Sequence, residues 1–219
     1  MIEWVGLAVL AFAIGLYPAL EHFRKFEFSR ERVEPPTGFR LLAELFSHAQ
    51  HSIKVVTGEL NPVVFNPLTS VIEGALRRNK HLTVSVIASD KIFTIGGVNK
   101  FHALWRSGVY GDRLQIVFTK NPQLHFGVID TKFLYVEAPH SQTALERDVA
   151  VYRHSMLRAV EFTRKFDRLL AQVQAVPVEE VQICAHPLEA ETSSEGSTKL
   201  QEYRATLARE EDLALASFQ

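Results

Sequence analysis

Hydrophobic and polar positions alternate in three different ways along this chain, and each way predicts a different element. From residue 4 to residue 20 there is no charge at all: Trp-Val-Gly-Leu-Ala-Val-Leu-Ala-Phe-Ala-Ile-Gly-Leu-Tyr-Pro-Ala-Leu. At 1.5 Å per residue such a run approaches the ~30 Å of a bilayer's hydrocarbon core. Trp4 and Tyr17 lie near its ends, where aromatic rings favour the headgroup level. Further on, apolar spacings of three and four mark helices: 37–46, opened by Thr37 as N-cap, 68–78, 98–107 and about 155–173. Period-two alternation marks strands at 52–57, 82–88, 113–119, 123–129, 132–137 and 148–152. Asp130-Thr131 reads as the tight connection of a hairpin. A Gly/Pro/Asn loop is expected from 58 to Asn66-Pro67.

Strands joined through helices lie parallel, and strands joined by short turns lie antiparallel. The expectation is therefore an α/β domain with a mixed sheet over residues 37–175. A membrane anchor at 1–23 and a linker at 24–36 precede it, and an acidic, partly disordered tail at 176–219 follows. Only Met1, Ile2 and Glu3 precede the apolar run, whereas a secretory signal would place Lys or Arg there. The cations follow instead, as Arg24, Lys25, Arg30 and Arg32, which predicts an outside N-terminus and a cytoplasmic domain. Ala11, Gly15 and Ala19 share one face of that segment and offer a close helix–helix contact; Ala and Gly are also simply common in such helices.

Charge sharpens this picture. Residues 21–170 carry 21 basic and 15 acidic residues, a balance of +6, while 171–219 carry 3 and 9, a balance of −6. A basic body suits an anionic ligand or a membrane surface, and the acidic tail suits a protein partner. The single cysteine, Cys184, excludes a disulfide framework or a multi-cysteine metal site.

Three stretches resemble the phospholipase D superfamily. Residues 45–57 (Leu-Phe-Ser-His-Ala-Gln-His-Ser-Ile-Lys-Val-Val-Thr) are similar to its opening helix and strand, 71–87 to its second helix and strand, and 123–140 with 161–167 to its active-site hairpin and closing helix. The resemblance implies a single-half phospholipase D-like domain. The family's H-x-K-x-x-x-x-D motif supplies a histidine that attacks phosphorus and a lysine that holds phosphate, with a later G-S-x-N adding an asparagine. Here Asp130 matches the aspartate, which places Gln123 at the nucleophile, His125 at the lysine and His140 at the asparagine; the G-S-x-N slot reads Glu137-Ala138-Pro139-His140. A register with His125 as nucleophile would put Gly127 at the lysine and Lys132 beyond the hairpin, and is rejected.

An amide cannot displace an alkoxide from phosphorus, so the resemblance arrives without its nucleophile. The expected site is a cleft of Gln123, His125, Glu137 and His140. It would bind a phosphate-bearing ligand better on acidification, as histidine gains charge, with Asp130 capping the hairpin. The plain alternative is an ordinary strand histidine bonded to backbone. His125, Glu137 and His140 are metal-ligand types without a metal-binding spacing, so neither metal nor cofactor is expected. Gly96-Gly97 reads as a turn, and His48, His51 and the run 77–80 as helix-end charges. Two functions follow from the resemblance: a membrane-tethered, non-catalytic module acting by homo-oligomeric assembly or recruitment, or a phosphodiesterase completing its site by dimerisation.

Overall fold

The computed structural model describes residues 31–33, 35–120, 125–137, 149–152 and 155–187. The apolar run 4–20 with Ala11, Gly15 and Ala19, the positions Gln123 and His140, and residues 188–219 lie outside them. Among the described residues no helix is long and apolar enough to cross a membrane.

Among the described residues nine strands and four helices run in the order β1 (Glu31–Val33), α1 (Pro35–Ser47), β2 (Ser52–Val56), α2 (Pro62–Arg78), β3 (Thr83–Ser89), β4 (Lys91–Thr94), α3 (Lys100–Arg106), β5 (Leu114–Thr119), β6 (His125–Ile129), β7 (Phe133–Glu137), β8 (Val149–Tyr152), α4 (Met156–Gln172) and β9 (Gln182–Ala185). Seven strands form one sheet in the order β1-β8-β7-β6-β2-β3-β5, and β4 pairs β9 in a second. The helix-joined strands β2, β3 and β5 are parallel, and the turn-joined strands β6, β7 and β8 are antiparallel, so the mixed α/β sheet has the expected handover at β2.

The sheet is covered on both faces. One face carries Ile53, Val55, Val84, Val86, Ile116 and Ile129 against Leu42, Phe46, Leu68 and Ile72 of α1 and α2. The other carries Val56, Ile87, Phe126, Val128 and Leu134 against Ala159 and Phe166 of α4. Lys54 emerges on the α4 side, its Nζ 2.6 Å from Asp167 and over the Phe166 ring. Being partly exposed, that pair contributes about 1 kcal/mol at most.

Three boundaries differ from expectation. The helix expected at 68–78 starts at Pro62, because Asn61 caps it: Asn61 Oδ1 accepts from Val63 N–H, and Pro62 occupies the first helical position, where its missing N–H costs nothing. Asn66-Pro67, which reads as a breaker, lies inside the helix. The expected linker contributes β1, paired antiparallel to β8, and α1 begins two residues before Thr37. The fold also continues past 175, where Val176 is buried and β9 pairs with β4 in parallel. Neither strand of that second pair exceeds four residues, and about ninety residues separate them, so periodicity cannot see the pairing.

His102, near the start of α3, has its pKa lowered, first by burial and then by the Arg106 charge. On acidification below the usual histidine range the unfolded chain binds this proton and the folded one resists it, so stability falls as pH falls. Urea unfolding at pH 7.5 and 5.5 is expected to show a smaller acid loss for His102→Gln than for wild type. Equal losses would contradict that assignment.

Candidate functional site at the strand ends

His125 opens β6 and Glu137 closes β7, and the register sets them directly opposite each other. Side chains alternate across a sheet, so His125, Gly127 and Ile129 face α1 and α2, while Phe126 and Val128 face α4. The His125 Nδ1 lies 3.4 Å from Glu137 Oε2, with 23% of the imidazole and 9% of the carboxylate side chain exposed. The pair sits at the carboxyl end of β2, where Thr57 and Gly58 leave the sheet, and where α/β sheets hold their ligands.

Two glycines make room for this arrangement. A Cβ on Gly58 would lie 2.7 Å from His125 Nε2, so the ring rests on the bare backbone of Gly58. That backbone cannot retreat, because Gly58 C=O accepts from Ser89 N–H at 2.6 Å. A Cβ on Gly127 would lie 2.0 Å from Tyr135 Cε1: the tyrosine ring of β7 crosses its strand partner. Tyr135 in turn meets Phe46 of α1.

Between these side chains and Phe46, Asn61, Phe65 and Leu68 is a cavity of about 20 Å³. That holds little more than one water. The amino end of α2 points here, but its amides are spent: Val63 N–H on the Asn61 side chain, Val64 and Phe65 N–H on the Asn61 carbonyl. No helix-end cradle for an anion remains. Among the described residues no three His, Cys, Asp or Glu side chains gather as a metal set.

Of the expected site residues, the structure brings His125 and Glu137 together. Gln123 and His140 lie outside the described residues. Asp130 does not join the cleft, because five residues of strand at ~3.3 Å each carry it to the other end of the sheet. Nor does its carboxylate cap its own turn. Asp130 Oδ1 accepts from His51 N–H (2.7 Å) and Ser52 N–H (2.9 Å), and Oδ2 from Gln50 N–H (2.8 Å). The hairpin itself is tight as expected, with Asp130 and Thr131 both at positive φ. Gly58, Asn61 and Tyr135 escaped the sequence reading. Gly58 directly after an alternating strand is the signal that could have flagged a close approach.

Two outcomes follow. Asp130→Ala leaves three amides without their acceptor and is expected to cost about 2 kcal/mol in urea unfolding. Gly58→Ala should cost ~1–3 kcal/mol through overpacking, and His125→Ala should relieve most of it. A double-mutant cycle giving additive losses would show that ring and glycine are not in contact.

No family model matches the chain, and neither does any curated protein sequence. Among solved structures it is similar to TrmBL2, an archaeal chromatin protein with a novel mode of DNA binding (TM-score 0.48, 16% identity, 80% of this chain and 66% of that one). It is similar to Nuc, a phospholipase D family member from Salmonella typhimurium (TM-score 0.49, 12% identity, 68% of this chain and 97% of that one). It is also similar to NucT from Helicobacter pylori (TM-score 0.49, 12% identity, 68% and 100%). Residues 45–57, 71–87 and 123–140 with 161–167 resemble the phospholipase D superfamily in sequence, and a phospholipase D family member is among the solved structures to which this fold is similar.

Proposed function

We propose that this chain is a membrane-tethered, non-catalytic phospholipase D-like module that acts by binding and assembly. The observation that carries this reading is the state of His125. Its Nδ1 lies 3.4 Å from the Glu137 carboxylate, and its Nε2 edge occupies the space that a Cβ on Gly58 would fill. A phosphate-holding group must present a free donor, and a nucleophile must present a lone pair along an open line to phosphorus. A carboxylate beside the ring repels a phosphodiester. Gln123, at the position that the resemblance gives to the nucleophile, has only an amide to offer. The apolar run 4–20 with the cations after it supplies the tether, and the acidic stretch after 171 supplies a surface for a protein partner.

The test is the rate on bis(p-nitrophenyl) phosphate for wild type and His125→Ala. Both are expected at the uncatalysed background. A wild-type rate that collapses in the variant would establish the dimeric phosphodiesterase instead.

A further inference from the structure

The sheet has two ends of different chemistry. His125, Glu137, Gly58 and Asn61 occupy the end where β2 and β3 finish. At the opposite end β1, β2, β3, β5 and β7 begin while β6 and β8 finish, as the pairing senses require. α2 and α3 run back toward that end, and α4 departs from it. We infer that this second end is a docking face for an anionic lipid bilayer, an inference that rests on the tether of the proposed function.

Charge and apolarity coincide there. Arg77, Lys80, His81, Arg106 and Lys132 are exposed at the helix ends and turns of this rim. The acidic groups at this end are Glu31, Glu44, Glu73, Asp112 and Asp130. Glu73 is paired with Arg77, Asp130 is held by three amides, and Asp112 stands exposed. Of the five large apolar side chains that are exposed among the described residues, three lie on the same rim: Val109 (74%), Met156 (60%) and Leu157 (70%). Met156 and Leu157 lie in the first turn of α4, whose cap residue Ser155 makes no side-chain cap. Arg158 lies next to them over the Tyr152 ring. Apolar side chains set among cations are what a headgroup region with acyl chains beneath it accommodates. A nucleic-acid backbone would favour the cations and gain nothing from Leu157 or Val109.

The occupant is fixed by where the chain arrives. β1 enters the sheet at Glu31, which pairs with Val151, so the amino-terminal segment comes in at the rim that carries Met156 and Leu157. Only the ten residues 21–30 separate the apolar run from β1. Fully extended they reach about 35 Å. A leash that joins the domain at this end brings the rim within reach of the bilayer that would hold the apolar run.

The experiment uses the full chain with Cys184→Ser, carrying an environment-sensitive label at Leu157→Cys, at Val109→Cys or, as control, at Val98→Cys near the other end. The chain is reconstituted with phosphatidylcholine vesicles, with or without phosphatidylglycerol, that contain a lipid-borne quencher. Quenching at 157 and 109 is expected to exceed that at 98 several-fold with phosphatidylglycerol. It should fall toward the control value with phosphatidylcholine alone or in Arg77→Glu/Lys80→Glu. A chain that floats with the vesicles but shows equal quenching at all three positions overturns the docking face and leaves the tether intact. A chain that does not float overturns both. Labels that respond to duplex DNA and not to vesicles would overturn the bilayer in favour of nucleic acid.

Discussion

The Asp130 carboxylate holds the two halves of this sheet in step. Hairpins fix their own register through the turn, and parallel strands through the helices that join them, but β2 belongs to both systems at once. It pairs in parallel with β3 and antiparallel with β6. Asp130, at the tip of the β6–β7 hairpin, accepts from three consecutive amides that lead into β2, and its own N–H donates to Ser52 C=O. A slip of one residue would turn every side chain of β6 to the wrong face. With this clamp made, His125 falls beside Gly58 of the β2 end, while its place opposite Glu137 follows from the hairpin's own register.

The same clamp explains how the motif's aspartate can persist where the rest is changed. Its work is done on backbone N–H groups at one end of the sheet, whereas His125 and Glu137 stand at the other. His125, at the lysine position of the resemblance, stands at the opposite end of β6 from Asp130. What does change is the cleft. Glu137 brings a carboxylate against the imidazole, Asn61 takes up the first amides of α2, and Gly58 lets the ring settle where a ligand would otherwise lie. Each of these is a satisfied contact, and together they make a closed, stable strand end.

Legibility in the sequence followed the range of the interactions. Local features were visible. Asp130-Thr131 announced the hairpin, alternation announced β3 and β5, and three-and-four spacing announced α4. Elements whose stability comes from distant partners were not: β1 needs β8, and β4 needs β9. Pro67 hid the first turns of α2, since a breaker signal is read locally while the Asn61 cap that outweighs it stands six residues upstream. In the site, strand period placed His125 on one face with Gln123, whereas its pairing with Glu137 emerges from the register of the folded hairpin. No pattern could show that Gly58, from a different strand, lies under the ring.

The two ends of the sheet also constrain each other. If the basic rim rests on a bilayer, the cleft stands a strand length away, and five residues at ~3.3 Å put it roughly 17 Å further from the lipid. An enzyme that cleaves phospholipid must bring the headgroup to its nucleophile, and a cleft held at that remove opens toward water instead. A partner in the proposed recruitment then has to come from solution, where the acidic stretch after residue 171 is the expected contact. Orientation alone therefore weighs against lipid hydrolysis and for recruitment, by an argument independent of the missing nucleophile.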